Sequence, residues 1–405
     1  MKKNLGYLQA FPIIVSFLDH FDDGDTDTLF AALERRDRVQ VVEIIVLPSV
    51  IYELVTAMQE TLPELKHLQL ELDSFVDLPI LSIIPDTFLS GSAPSLQTIC
   101  ISGISFPSAP TLLLSARDLV DVDLHDIPES GFIPPQAMVA SLAALPKLES
   151  LTFGFQWGMS YRDRIRLPTS TRAILPALTR FFFDGLFRYF EDFVGQIDTP
   201  QLNYLQIRYL DEDDGTDFQM PQLSEFIDRS EKLKLSRFMH ADLTVEHFTT
   251  IVELHDGGPS SFRLSIQEDA IGQVLNQLSA LLSNVDRLFV HSRINERDRL
   301  GPGVPWLELF RPFTALKALY VGDELSIQIP LALGRVTSER AAEVLPALNL
   351  LRLKNSLRLM TPMKKFVAAR QSVGRPITIV SYDTEFQERL HIELILATEL
   401  LFVTM

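Results

Sequence analysis

Apolar positions along the chain fall into a recurring L-x-x-L-x-L spacing, in which any bulky apolar residue can stand for leucine. The pattern is clear at Leu65/Leu68/Leu70, Leu96/Ile99/Ile101, Leu119/Val122/Leu124, Leu148/Leu151/Phe153, Leu178/Phe181/Phe183 and Leu202/Leu205/Ile207. It resumes at Val285/Leu288/Val290, Leu316/Leu319/Val321 and Leu348/Leu351/Leu353. Within each of these two blocks the first positions recur every 23 to 32 residues. The last two apolar positions of each motif alternate with other residues, as a strand with one buried face requires. Between motifs the spacing turns helical. "SVIYELVTAMQETL" (49–62), "PPQAMVASLAAL" (134–145), "YFEDFVGQI" (189–197), "PQLSEFIDRSEKL" (221–233), "IGQVLNQLSALL" (271–282) and "SERAAEVLPAL" (338–348) each carry one apolar stripe. The 83 residues from Leu202 to Val285 leave room for two degenerate strands, expected at "LKLSRFMH" (233–240) and "FRLSI" (262–266).

A strand, a loop, a helix and a return at this period predict an α/β leucine-rich-repeat solenoid of about 11 irregular repeats. No single unit can bury its own apolar strand face and helix stripe; stacked units bury them against one another. The expected result is a curved horseshoe with a parallel sheet on the concave face and helices outside. Pro63, Pro94, Pro146, Pro176, Pro200 and Pro346 precede strands, where they end a helix and deliver extended chain. The Asn that usually stands eight positions after the first leucine is missing. Asp73, Ile104, Ile127, Gln156, Leu186, Leu210, Arg293, Glu324 and Ser356 stand there, so uneven loops are expected. Residues 1–48 read as an N-terminal capping segment, with a helix over 27–38 and a strand over 39–47. Residues 49–382 read as the solenoid, closed by the helix 361–374 and the strand 376–382. Residues 383–405 read as a C-terminal tail, a terminal helix or disordered.

Bulk composition narrows the function. Hydrophobic residues make up 46% and charged residues 22%, enough for a large core. Thirty-six Lys and Arg against 53 Asp and Glu give a net charge of −17. That field repels phosphate backbones and anionic lipid, so neither nucleic acid nor a membrane is an expected partner, and a basic protein is favoured. A lone cysteine, Cys100, rules out an internal disulfide and points to a reducing, intracellular location, cytoplasmic or nuclear. The N-terminal apolar stretch is broken by Pro12 and followed by "DHFDDGDTD", unlike a signal peptide, and no uncharged apolar run is long enough to span a bilayer.

No catalytic, metal or cofactor constellation stands out. "DDGDTD" (22–27) and "DEDDGTD" (211–217) fail the calcium-loop spacing and read as solvated loops. His240, His247 and His255 lack convergent partners, and no phosphate-binding or nucleophile-elbow motif occurs. Cys100 falls on a strand with no base marked beside it.

The run "LFAALERRDRV", "AMQETLPELKHLQL", "IPDTFLSGSAPSLQTICISGI", "LLLSARDLVDVDLHDIPESGFIPPQAMVASLAALPKLESLTF" and "RAILPALTRFFFDG" resembles the F-box and leucine-rich-repeat-like proteins expanded in mushroom-forming fungi. The resemblance extends over about residues 3–389. It implies a repeat array that recognises substrates for a cullin–RING ubiquitin ligase, reached through an adaptor that binds an F-box. No LPxE(I/L)L-type F-box opening occurs in this sequence, so an adaptor contact is expected only if an F-box lies upstream. The tail "HIELILATELLFVTM" (391–405) departs from the family.

Function is therefore sought on the concave face, at the positions flanking the second and third motif residues. Early strands are polar and acidic there, whereas later ones carry Arg208, Arg287, Arg352 and Lys354 with the aromatic residues Phe182, Tyr204, Phe289 and Tyr320. Tyrosine and arginine anchor protein interfaces because each joins a large contact area to directional polar groups. The expectation is a non-catalytic recognition module with a protein partner and no cofactor. The alternatives are a hydrolase-like enzyme on an irregular repeat scaffold and a truncated paralogue without a working partner.

Overall fold

The computed structural model describes residues 11–17, 26–47, 50–72, 84–106, 111–156, 172–209, 219–246, 249–267, 270–293, 305–322, 325–337, 340–341, 343–354 and 360–382. By internal contacts the chain divides into two units, residues 1–202 with 210–212 and residues 203–209 with 213–405. Both are α/β with a mostly parallel sheet.

The first unit holds β1 (Ile13–Phe17), β2 (Val39–Val46), β3 (His67–Leu72), β4 (Thr98–Ser102), β5 (Asp121–Ile127), β6 (Ser150–Phe155), β7 (Ala173–Ile174), β8 (Arg180–Gly185) and β9 (Ile197–Asp198). Its sheet runs β1-β2-β3-β4-β5-β6-β8 with every ladder parallel, and β7 pairs with β9 separately. The predicted strand at 39–47 is β2, and β1 adds a strand before it. Helices Ile51–Ala57, Pro135–Leu142 and Phe187–Val194 fall on three of the predicted stripes, and Thr26–Leu33 falls on the helix expected over 27–38.

The motif leucines explain the sheet. All three apolar positions of every clear motif are at most 2% exposed. The second and third point from the strand into the core, while the first is fixed by a turn. In all nine motifs the first residue's N–H donates to the carbonyl three residues earlier, as in Leu65 to Leu62, Leu178 to Leu175 and Leu348 to Leu345. The six strand-preceding prolines each occupy the second position of such a turn, which their fixed φ suits. Proline thus builds the turn that seats the first leucine, beyond ending a helix. Where an Asn ladder would stand, Ile104, Ile127 and Leu186 are buried instead, replacing side-chain hydrogen bonds with apolar packing.

The segment "RFFFDGLFRYF" supplies an aromatic core. Tyr189 is fully buried, with Phe132, Phe153, Phe155 and Phe183 around it at ring-centroid distances of 5.8, 5.5, 4.8 and 6.0 Å. Its hydroxyl donates to the Ile133 carbonyl at 2.9 Å. Nearby backbone packing is equally close. A Cβ on Gly131 would meet Ser105 Cα at 2.7 Å and Phe106 N at 2.9 Å. Gly131→Ala is therefore expected to lower stability by about 1–3 kcal/mol in denaturant unfolding, because backbone atoms cannot rotate aside.

The second unit holds β10 (Tyr204–Tyr209), β11 (His240–Val245), β12 (Thr249–His255), β13 (Ser261–Gln267), β14 (Arg287–Ser292), β15 (Ala318–Val321), β16 (Leu350–Lys354) and β17 (Thr378–Tyr382). Its order is β10-β13-β12-β11-β14-β15-β16-β17, parallel except where β12 pairs antiparallel with β11 and β13. Here three expectations are corrected. Of the strand expected at 233–240, residues 233–239 form none: Glu231–Leu235 is a short helix after Pro221–Arg229, and the strand begins only at His240. The "LKL" alternation buries Leu233 from a helix as readily as from a strand. Next, β12 reverses direction, so the strands do not follow chain order. Only residues 246–248 link β11 to β12, and a parallel crossover needs a dozen or more. The return at 256–260 is a tight turn with Gly257 at φ +80° and the Gly258 N–H donating to Asp256 Oδ1 at 2.7 Å. Finally, the described part of 338–348 forms turns, ending with Leu345 at φ +49° before Pro346. The helix of that repeat is Leu325–Gly334, which buries Leu325, Ile329 and Leu333. The predicted strands at 262–266 and 376–382 are β13 and β17, and the predicted helix at 361–374 is Met360–Ser372.

No helix among the described residues is long and apolar enough to cross a membrane. The acidic loop 211–217, His247 and the tail 383–405 lie outside the described residues.

Candidate functional site

In each sheet one set of strand positions is buried under helices and the alternate set forms an open face. On the second unit that face consists of three cross-strand rows. The central row runs Gln206, Arg263, Glu253, Asp242, Phe289, Tyr320, Arg352, Val380. One flanking row carries Tyr204, His255, His240 and Arg287, and the other carries Arg208, Thr244, His291 and Lys354. The register therefore places seven of the eight sequence-selected residues on one face of one unit. Phe182, half-buried on β8, belongs to the first unit.

Three of the seven make a compact stack. Phe289 and Tyr320, directly paired across β14 and β15, have ring centroids 4.4 Å apart at an 18° interplanar angle. The Arg352 guanidinium carbon lies 5.4 Å from the Tyr320 centroid, on the ring's other neighbour strand. Phe289 is 8% exposed, so it supports the stack more than it presents itself, and Tyr320 and Arg352 are half-buried. A cation over a stacked aromatic pair holds its shape without a partner, which reduces the entropy lost on binding. Arg208 and Arg287 are exposed, and Lys354 is half-buried. Tyr204 donates its hydroxyl to Gln206 Oε1 at 3.0 Å, and burial raises its phenol above the ordinary range while Arg263 opposes the rise.

Beside the stack lies a charged network that the sequence reading missed. Asp242 has His291 Nε2 at 3.3 Å and His255 Nε2 at 3.8 Å. Glu253 has Arg263 Nε at 3.0 Å and His255 Nε2 at 3.7 Å, the latter an ion-pair rather than a hydrogen-bond separation. Asp242, Glu253 and His255 sit on β11 and β12, where the strand assignment fails, while Arg263 and His291 sit on the expected strands β13 and β14. The usable signal was "TTIVELH" followed by "DGGPS", an alternating run with a Gly-Gly turn. His255 is raised above the ordinary histidine range, first by Glu253 and against burial, with Asp242 adding to the rise; Glu253 is lowered, first by His255. His240 is lowered by burial and by Arg287.

A pH dependence follows from these shifts. Folding holds the proton on His255 more tightly than the unfolded chain does, so its contribution is complete below about pH 6.5 and is lost as pH rises through the raised value. Glu253, held low, contributes above about pH 4.5 and loses that as pH falls through its lowered value. Both act together between about pH 4.5 and 6.5. Thermal unfolding is expected to show a stability loss as pH rises above about 6.5 that His255→Gln diminishes. Identical slopes for the two proteins would show that the network contributes nothing.

The open face of the first unit is chemically different. Cys100 of β4 pairs in register with Asp123 of β5, and His125 follows two positions along. His125 Nδ1 lies 2.7 Å from Asp123 Oδ1, and this bond raises the imidazole above its ordinary range. Burial, followed by Asp123, Glu71 and Asp121, pushes the Cys100 thiol up to about 12. Asp121 is raised, mainly by burial. A thiol held that high is protonated at neutral pH and is no nucleophile there.

The molecule thus presents two α/β units with mostly parallel strands, each with a face that is free of helices among the described residues, one acidic and one aromatic and cationic. Compared with models of known protein families and with the sequences of curated proteins, the chain matches none.

Proposed function

We propose that the chain is a non-catalytic protein-recognition module of the leucine-rich-repeat solenoid class, and that the open face of the second unit is its binding surface. The observation that carries this reading is the Phe289–Tyr320–Arg352 stack on a face that no helix among the described residues covers. Aromatic and arginine side chains of this kind, rigid and ringed by polar groups, are what interface hot spots use. The recurrent turn, strand and helix support the solenoid class, with β12 as an inserted antiparallel strand. The mixed charges around the stack, Arg208, Arg287 and Lys354 against Asp242 and Glu253, suit a partner segment with both signs rather than a polyanion.

The fungal F-box resemblance extends the proposal to a substrate receptor of a ubiquitin ligase. That step rests on the resemblance, and the adaptor contact would belong to an F-box, whose motif these residues lack. The test is affinity capture from fungal lysate with the wild-type chain and with Tyr320→Ala/Arg352→Ala, each prey then titrated as a purified protein. A prey whose affinity depends on the stack supports recognition. Preys that bind both forms equally would place binding elsewhere, and consumption of a captured small molecule would favour the enzyme alternative.

A further inference from the structure

The acidic face of the first unit carries a cluster that the recognition reading does not use. Cys100, Asp123 and His125 each offer one donor atom, and the three atoms lie within 4.8 Å of one another. All three side chains are half-buried on the open face, so they are both held and reachable. Further carboxylates share the face. Glu71 pairs with Ser102, two residues from Cys100, and accepts a hydrogen bond from Gln69 Nε2 at 2.7 Å. Asp121 stands two residues before Asp123 on β5.

We propose that Cys100 Sγ, the Asp123 carboxylate and a His125 ring nitrogen form a site for a divalent transition-metal ion of the zinc class, with water in the fourth position. The donor set selects the class. Sulfur and imidazole suit borderline ions such as Zn²⁺ and disfavour the hard Ca²⁺ and Mg²⁺, which take oxygen. At bond lengths of about 2.0–2.3 Å, tetrahedral donors stand roughly 3.3–3.7 Å apart. The site therefore forms by side-chain rotations that draw the wider pairs together by up to about 1 Å and part His125 Nδ1 from Asp123 Oδ1, now 2.7 Å apart. Charge favours occupation: the thiol gives its proton to solvent, and one thiolate and one carboxylate neutralise the dication. The ion replaces the hydrogen that now links His125 to Asp123. Glu71 and Asp121 strengthen attraction from nearby, and the open fourth position can accept a donor from another molecule. This assignment is independent of the recognition surface on the other unit.

The test uses the full chain stripped with chelator, then titrated with Zn²⁺ against a chromophoric competitor and, separately, with Co²⁺. One equivalent of zinc is expected to bind. Cys100→Ser and His125→Ala are each expected to weaken it at least 100-fold, and Asp123→Asn at least 10-fold. Co²⁺ should give a thiolate-to-metal charge-transfer band that Cys100→Ser removes. Should a variant fail to fold, the wild-type chain decides: the Co²⁺ charge-transfer band must saturate at one equivalent and be abolished by one equivalent of Zn²⁺. Zinc uptake that does not depend on Cys100, a cobalt spectrum without the thiolate band, or a cobalt band that zinc does not displace would overturn the site.

Discussion

Tyr189→Ala is expected to destabilise the first unit by about 3–5 kcal/mol, the largest effect of any single substitution considered for that unit. The ring is fully buried, and removing it leaves Phe132, Phe153, Phe155 and Phe183 facing a void that the last three, fixed on parallel strands, cannot move to fill. It also deprives the Ile133 carbonyl of its donor. Tyr189→Phe separates the two causes. It keeps the ring and removes only the hydrogen bond, so a loss of about 1–2 kcal/mol is expected. Denaturant titration of the three proteins measures both. If alanine and phenylalanine cost the same, the aromatic cluster would not be the source of stability claimed for it.

The second large effect concerns binding. Tyr320→Ala/Arg352→Ala is expected to weaken a bound protein partner by at least about 2 kcal/mol, roughly 30-fold or more. Tyr320 is the middle of the stack and touches both neighbours, so its removal also frees the Phe289 ring and the Arg352 guanidinium to adopt other rotamers. The loss therefore combines contact area with preorganisation. Arg208→Ala/Arg287→Ala, at exposed positions on the flanking rows, should cost less and should act mainly through association rate and salt dependence. Stopped-flow or surface-based kinetics distinguishes the two variants. Equal effects from both would argue for a diffuse charged surface instead of a stacked anchor.

Much of this arrangement can be read in the sequence because its cause is local and periodic. Leu-x-x-Leu-x-Leu marks a turn-seated residue and two inward strand residues, and every such triplet is buried. The same register places Tyr320 and Arg352 at equivalent positions of neighbouring strands. What escapes is what depends on connection length rather than periodicity. The segment from 233 to 267 contains alternating runs that fit several strand assignments, and the short link after Val245 and the Gly257–Gly258 turn decide between them. Missing that hairpin hid Asp242, Glu253 and His255. The helix Leu325–Gly334 escaped for another reason: Pro330 inside it reads as a breaker, yet burial against the sheet sustains it. Cys100, Asp123 and His125 are legible only when the motifs are aligned on one another, since Cys100 and Asp123 each lie four residues after a first apolar position.

The central claim, that the open face of the second unit recognises protein, is tested most directly by hydroxyl-radical footprinting of the chain with a partner obtained by capture. Protection concentrated at Tyr320, His291, Tyr204 and Arg352, with the exposed helix residues Leu235 and Leu331 unchanged, is the predicted result. Protection of the helix side with Tyr320 still fully reactive would contradict it.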